Sequence, residues 1–345
     1  MLLSASAPAK LIFLGEYAVL EGAPALVAAL DCRAYVTLQG TSGSQWWLSA
    51  PELGIQDLPL GQDGELPATL AADTRDALSL FDAVRRTMAH EILGPGPVRI
   101  QIDTRSLFSN GRKLGLGSSA AVAVALTVAL AAAAGVTLEN QTALALAGRA
   151  HHRAQGGIGS NADVAAAVYG GFLGYHAGRT PSPVTAPPDL WLQPVQLEQS
   201  ASTTELVGKV MALKEVSPER FNKLMRPLLE RAEQGYKAFA THDTVAFLRT
   251  FSHYHGALEQ IGEASGADII SAPHRALHAA TRDTGVSYKS CGAGGGDLGL
   301  LAAQQKHRNN DAIARQIAHS TGCQLLEAQL GAPGVTIENA GSATL

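Results

Sequence analysis

The residues best suited to chemistry lie in Lys113-Leu114-Gly115-Leu116-Gly117-Ser118-Ser119-Ala120-Ala121, a glycine-rich turn that runs directly into the apolar stretch Val122 to Ala134. Small residues at a helix start let backbone N–H groups crowd around an anion, and the unpaired amides and dipole of the helix favour its negative charge. Phosphate binding is the chemistry this predicts. Ser118 and Ser119 follow the turn at once, so one hydroxyl can ligate magnesium while the amides hold phosphates. The turn is not a P-loop, because no Gly-Lys-Ser/Thr follows four residues after a first glycine. Gly115, Gly117 and Ala120 also fit the dinucleotide pattern G-x-G-x-x-A. That pattern needs an apolar strand just before it, and Ser109-Asn110-Gly111-Arg112-Lys113 is polar. The remaining alternative is a turn that only lets a helix pack closely.

Two further glycine clusters stand beside charged or hydroxyl residues: Gly156-Gly157-Ile158-Gly159-Ser160-Asn161-Ala162-Asp163 and Lys289-Ser290-Cys291-Gly292-Ala293-Gly294-Gly295-Gly296-Asp297. Asp163, after a turn and before a helix, reads either as a helix cap or as a functional carboxylate. Lys10 sits in an otherwise apolar strand and needs a partner there. Arg112, Lys113, His152 and Lys289 are the other cations in or beside these segments, with a solvated surface position as the bland reading for each. Tyr17 can donate to a substrate or simply pack with a wet hydroxyl. His151-His152 and His253-Tyr254-His255 read as structural or surface residues, since neighbours on a helix diverge and no Cys or carboxylate completes a metal spacing.

These residues must be positioned by a chain of 345 residues, too long for one ordinary core, with 46% hydrophobic and 16% charged residues. Two domains of a compact globular protein follow. A net charge of -4 leaves no footprint for nucleic acid or an anionic membrane. The partner expected is therefore a small molecule, with a homodimer as the oligomer to test. Cys32, Cys291 and Cys323 are odd in number and far apart, which suggests a reducing compartment. No signal-like or membrane-length apolar segment is seen, so a cytoplasmic location is expected.

In chain order, strands are expected over 3–14 (broken at Pro8), 25–30, 33–39, 46–48 and 98–102, with a loop over 51–67 and a helix over 74–90. Helices are expected over 118–134 and 138–155, the second capped by Thr137, and a short one over 164–168. Proline-rich Thr180 to Pro188 reads as a boundary. Beyond it come a strand at 191–197 and helices over 202–213, 218–240, 244–261, 273–284 and 309–320. Strands around Leu325 and Val335 finish a pattern that reads as α+β.

The three glycine clusters, in this order and with Pro8-x-Lys10 and Gly15-Glu16 ahead of them, resemble the GHMP kinase superfamily from Ala7 to Gly299. Within it, Gly15-Glu16-Tyr17-Ala18-Val19, Lys113 before the central turn, Gly159-Ser160-Asn161-Ala162-Asp163-Val164-Ala165, Ser200-Ala201-Ser202-Thr203-Thr204 and the terminal Asp297 look like the phosphomevalonate kinase family. Departures are Asn161 for a usual glycine, Cys291 for a usual serine, and a missing Trp-Thr-Gly before Ser200. Mevalonate kinases place a magnesium-binding glutamate eleven residues before the aspartate, where this chain has His152.

The resemblance implies a two-domain α+β GHMP kinase fold, residues 1–185 and 186–345, with a cleft between the domains for ATP and substrate. It implies catalytic roles for Lys10 and Asp163. It also implies ATP binding by Lys113, Gly115, Leu116, Gly117, Ser118, Ser119 and Ala120, with magnesium on Ser119. Tyr17, Ser160, Lys289, Gly292, Ala293 and Gly294 are expected at the substrate. The implied activity is ATP- and magnesium-dependent phosphorylation of 5-phosphomevalonate to mevalonate 5-diphosphate in isoprenoid biosynthesis. A mevalonate kinase or another small-molecule kinase of the superfamily is the alternative, and a nucleotide-binding sensor without catalysis is a third.

Overall fold

The computed structural model describes residues 1–92, 96–109, 112–157, 159–197, 202–296, 298–305 and 309–339. Strands β1 (Leu2–Leu14), β2 (Ala25–Gly40), β3 (Trp46–Ala50) and β4 (Ile55–Leu60) precede helices α1 (Ala72–Ala77) and α2 (Ser79–Glu91). Strands β5 (Val98–Asp103), β6 (Phe108–Ser109) and β7 (Arg112–Lys113) lead into α3 (Ser118–Ala133), α4 (Asn140–Ala154) and α5 (Ala162–Tyr169). Then come β8 (Phe172–Tyr175), β9 (Ser182–Val184), β10 (Leu190–Gln196), α6 (Thr203–Val216), α7 (Pro218–Ala240), α8 (Thr244–Ser265) and α9 (Ala272–Ala280). Strands β11 (Ser287–Ser290) and β12 (Leu298–Gln304), helix α10 (Asn310–Thr321), and strands β13 (Gln324–Leu325) and β14 (Thr336–Asn339) complete the order. The class is α+β, as the sequence pattern suggests.

The chain forms two compact units whose segments alternate in sequence: 1–10, 29–170 and 331 onward in the first, 11–28 and 171–330 in the second. The proline-rich stretch Thr180 to Pro188 falls inside the second unit.

In the first unit the strand order is β14-β1-β2-β5-β3-β4, with β14 antiparallel to β1, β5 antiparallel to β2, and β3 parallel to β5. Strand β2 runs unbroken across Asp31 and Cys32 where two strands were expected, because neither residue supplies a turn and Ala25 to Leu30 are all fully buried. Pro8 does not break β1 either; it lies beyond Leu3 to Ser6, the stretch paired to β14, where its missing N–H costs no bond to that strand. The expected loop over 51–67 contains β4, whose Ile55 and Leu60 are buried against β3. The expected helix over 74–90 is two helices, parted at buried Leu78 (φ −95°, ψ 8°). Thr137 is not the cap of α4: Glu139, itself extended, holds the cap position without a side-chain bond. Arg33 ties the late segment to this unit. Its guanidinium donates to Ser6 Oγ (2.9 Å) and to the carbonyls of Ser6 (2.9 Å), Pro333 (2.8 Å) and Gly334 (2.7 Å).

Helix α3 is the core of that unit. It is apolar on all sides and buried from Ala123 to Ala131, as a helix must be when it packs against several partners, here α2, α4 and α5. Its many alanines let those helices approach closely.

The second unit holds an antiparallel sheet in the order β11-β12-β10-β13 and the helix pair α7 and α8. A run of aromatic contacts links Phe13, Phe239, Phe247 and Phe251, with centroids 5.6, 5.3 and 5.8 Å apart. Each such buried ring contributes roughly 1.5–3 kcal/mol. Among the described residues, no helix is long and apolar enough to cross a membrane.

Candidate active site

The central glycine turn keeps its amides open. Gly115 (φ 69°) and Gly117 (φ 79°) take left-handed conformations, and Gly117 is the cap residue of α3 with no side-chain cap bond. Leu114 and Leu116 are buried and anchor the turn, while Ser118 and Ser119 are half-buried and Ala120 is buried. The first amides of a four-turn helix are thus left to whatever anion approaches. Lys10 is bound to this turn twice. Its backbone N–H donates to Leu116 O (2.9 Å), and its side chain crosses Gly117 so closely that a Cβ there would lie 2.7 Å from Lys10 Cε. Lys113 is exposed on β7, opposite Phe108 of β6.

The second turn brings its carboxylate to the same helix start. Asn161 (φ 62°) holds the cap position of α5, so Asp163 lies in the helix's first turn and is not its cap. Asp163 Oδ1 accepts from Val164 N (2.9 Å), and Ser160 Oγ accepts from Ala162 N (3.3 Å). Between Asp163 and Ser119 stands a residue the sequence reading set aside as structural. His151, buried on α4, has its Nε2 at 3.0 Å from Ser119 Oγ, 3.1 Å from Gln155 Nε2 and 3.8 Å from Asp163 Oδ2. His152, the position weighed in its stead, is exposed. One signal was available: Gly148, His151 and Gln155 share a face of α4 at i, i+3 and i+7. That face meets the second turn, since a Cβ on Gly148 would lie 3.4 Å from Asn161 Nδ2. Lys10, the central turn, Ser119, His151, Ser160 and Asp163 all belong to the first unit.

The third turn, in the second unit, is fastened on every side. Cys291 N donates to Leu298 O (3.0 Å), Gly292 N to Ile12 O (3.2 Å) and Gly295 N to Ile269 O (2.9 Å). Gly294 (φ 84°) passes so near that a Cβ would lie 2.4 Å from Ile269 O. Tyr17, itself at φ 63° and buried, donates its hydroxyl to Ala293 O (2.6 Å). Burial, and then the neighbouring Glu16, push the Tyr17 phenol above its ordinary range, so it stays a donor.

Lys289, expected at the substrate, is fully buried. Its ammonium donates to Glu16 Oε1 (2.5 Å) and to Ser290 O (2.6 Å) and lies 5.8 and 5.5 Å from the ring centres of Phe251 and Tyr254. As placed, its charge is committed to the protein interior. Burial raises the Glu16 carboxyl above its usual range, against the pull of Lys289, and Tyr254 Oη donates to Glu16 O (2.8 Å). Ser202 caps α6, its Oγ accepting from Glu205 N (3.3 Å). Asp297, Ser200, Ala201 and Ile158 lie outside the described residues.

Phosphates fit the central turn on these grounds: two left-handed glycines, an uncapped helix start and a lysine stem lying on the second glycine. Magnesium would find hard oxygen donors in Ser119 and Asp163, whose oxygens lie 3.0 and 3.8 Å from the same His151 Nε2.

Residues 79–171, which carry Ser119, His151 and Asp163, match the GHMP kinases N terminal domain. The chain is 26% identical to a phosphomevalonate kinase of Streptomyces sp. (strain CL190), over 92% of this chain and 94% of that one. It is 28% identical to a mevalonate kinase of Thermococcus sibiricus, over 97% and 98%. Its fold matches the phosphomevalonate kinase of Streptococcus pneumoniae in complex with phosphomevalonate and AMPPNP at a TM-score of 0.76, with 18% identity, covering 95% of this chain and 99% of that one. The chain is a phosphotransferase. Residues 79–171 carry a GHMP kinases N terminal domain, and the relatives matched along most of the chain are named kinases.

Proposed function

We propose that this kinase works in the mevalonate pathway, transferring the terminal phosphoryl group of ATP to 5-phosphomevalonate to give mevalonate 5-diphosphate and ADP. The observation that carries the reading is the gathering, in one unit, of Lys10, the open start of α3 and the Ser119–His151–Asp163 cluster. Relatives named for phosphomevalonate and for mevalonate support the pathway, and the Gly15-Glu16-Tyr17 and Gly159-Ser160 segments favour the phosphorylated acceptor.

Phosphoryl transfer asks a protein mainly for positioning and charge neutralisation. The α3 amides, with Gly115 to Ala120, hold the nucleotide phosphates, Lys113 supports them from β7, and Lys10 lies over the reacting end. Ser119 holds magnesium, which when bound draws charge from the phosphate oxygens, and Ser160 meets the acceptor. An oxygen of the acceptor phosphate bonds to the γ-phosphorus as the bond from that phosphorus to the bridging oxygen breaks, and ADP carries away the electron pair. A phosphomonoester's second ionisation lies near about pH 6, so the acceptor is already anionic at neutral pH. Asp163 then orients and need not remove a proton. The second reading is a mevalonate kinase, favoured by the relatives so named; there the acceptor is an alcohol and Asp163 serves as base.

The test is ADP release, in a coupled assay with magnesium and ATP, comparing 5-phosphomevalonate with mevalonate at equal concentration. Turnover with the phosphorylated acceptor alone, with Asp163→Asn keeping rate to within about tenfold, is the expected result. Turnover with mevalonate alone, and its collapse in Asp163→Asn, would install the second reading.

A further inference from the structure

His151 has no part in the mechanism so far, yet among the described residues it is buried and faces both Ser119 and Asp163. A hydroxyl that ligates a cation must turn its lone pairs to the metal and send its hydrogen elsewhere. At Ser119 the group waiting for that hydrogen is His151 Nε2, at 3.0 Å. A neutral imidazole accepts at Nε2 only when its proton sits on Nδ1. The Gln155 amide nitrogen, at 3.1 Å one turn along α4, can only donate, so it shares the one lone pair of that nitrogen with the Ser119 hydroxyl and calls for the same tautomer. Asp163 Oδ2, at 3.8 Å, is too far for a hydrogen bond to the ring, and its Oδ1 is held by Val164 N. The ring therefore orients Ser119 and leaves the carboxylate's outer oxygen available.

Resting on the kinase reading above, we propose that His151 is a positioning residue for phosphoryl transfer: it accepts the hydrogen bond of the Ser119 hydroxyl and thereby aims that oxygen's lone pairs at magnesium. The imidazole does this without adding a second negative charge beside Asp163. Groups that orient a metal ligand typically govern about 10–100-fold in affinity or activity when removed.

The experiment compares wild type, His151→Gln, His151→Leu, Ser119→Ala and the Ser119→Ala/His151→Leu double variant. Two readouts are taken: steady-state kinetics against free magnesium, and calorimetric ATP binding with magnesium titrated from zero. Leucine nearly keeps the side chain's volume and removes the acceptor, whereas glutamine returns an acceptor oxygen near the position of Nε2. His151→Leu is expected to lower kcat about 10–100-fold and to raise the magnesium needed for half-maximal ATP binding by a similar factor. KM for the acceptor should stay within about twofold, His151→Gln should recover most of the loss, and the double variant should be no worse than Ser119→Ala. His152→Ala, on the exposed neighbour, should leave the magnesium dependence unchanged.

Equal losses in the Leu and Gln variants, or a His151→Leu effect undiminished on the Ser119→Ala background, would overturn the proposal and make the ring a packing residue. Should His151→Leu fail to fold, nitrogen-15 spectra of histidine-labelled wild type decide, with the His151 signal found by its loss in His151→Gln. A proton on Nδ1 alone supports the proposal and one on Nε2 refutes it. If Ser119→Ala is impaired and His151→Leu is not, only this proposal falls. If Ser119→Ala itself behaves as wild type, the site reading falls and the proposal with it.

Discussion

The central and third glycine turns have similar compositions and opposite fates. Around Gly115 and Gly117 the helix start is uncapped and the nearest lysine lies over the backbone, so the polar groups of the turn still look for a partner. Around Gly292 to Gly295 the partners are already in place, from Ile12, Tyr17, Ile269 and Leu298. Glycine is needed in both, in one to let the Lys10 side chain cross the backbone and in the other to let backbone approach backbone. The lesson is that a glycine cluster announces close approach without saying what approaches.

Three experiments sharpen the contrast, in order of expected effect. Lys289→Met strikes the fastened region, leaving Glu16 buried without its counter-charge, and should cost about 3–5 kcal/mol in urea unfolding. Replacing both partners with apolar residues should return much of that loss, since the desolvation of two charges disappears with them. Gly117→Ala strikes the open region. The new methyl group displaces the Lys10 stem, and kcat/KM should fall about 100-fold while stability falls by only about 1–2 kcal/mol. A large stability loss there, or a purely catalytic loss at Lys289, would break the comparison.

The third experiment uses pH. In the second unit, His274 donates to or accepts from Tyr288 Oη at 2.6 Å, and His255 stacks on His278 at 4.3 Å. Burial first, with Lys289 and other cations nearby, holds the imidazoles of His255 and His274 down to about 3. The folded chain thus keeps them neutral, whereas the unfolded chain protonates them near about 6.5. Their contribution to stability is present above that value and is lost as pH falls from it toward 3, by about 1.4 kcal/mol per histidine per pH unit. Denaturant unfolding between pH 7 and 5 should show the decline, and His274→Phe should about halve its slope.

Much of this was legible because it is local. The run from Ser118 to Ala134 reads as a buried helix from its composition, and α7 begins at Pro218 and ends at Ala240 as its pattern suggests. The left-handed glycines and uncapped helix start of the central turn follow from residues that touch one another in sequence. Lys289 stands out in the sequence as a cation beside the third glycine cluster, with a solvated surface position as its bland reading, and its partner Glu16 is 273 residues away. His151 and His152 look alike in the sequence, and only the packing of α4 against α3 and α5 chooses between them. The break at Leu78 and the continuity of β2 are likewise decided by neighbours far along the chain.

The Arg33 anchorage has a consequence for how the protein is made. Strand β14 closes the edge of β1 by pairing with Leu3 to Ser6, yet the ribosome reaches Thr336 only after all of residues 171–330. At about 5–20 residues per second that interval is roughly 10–30 s, during which the nascent first sheet carries an unpaired edge. A chaperone that shields such an edge would be needed longest for the part of the protein that is translated first.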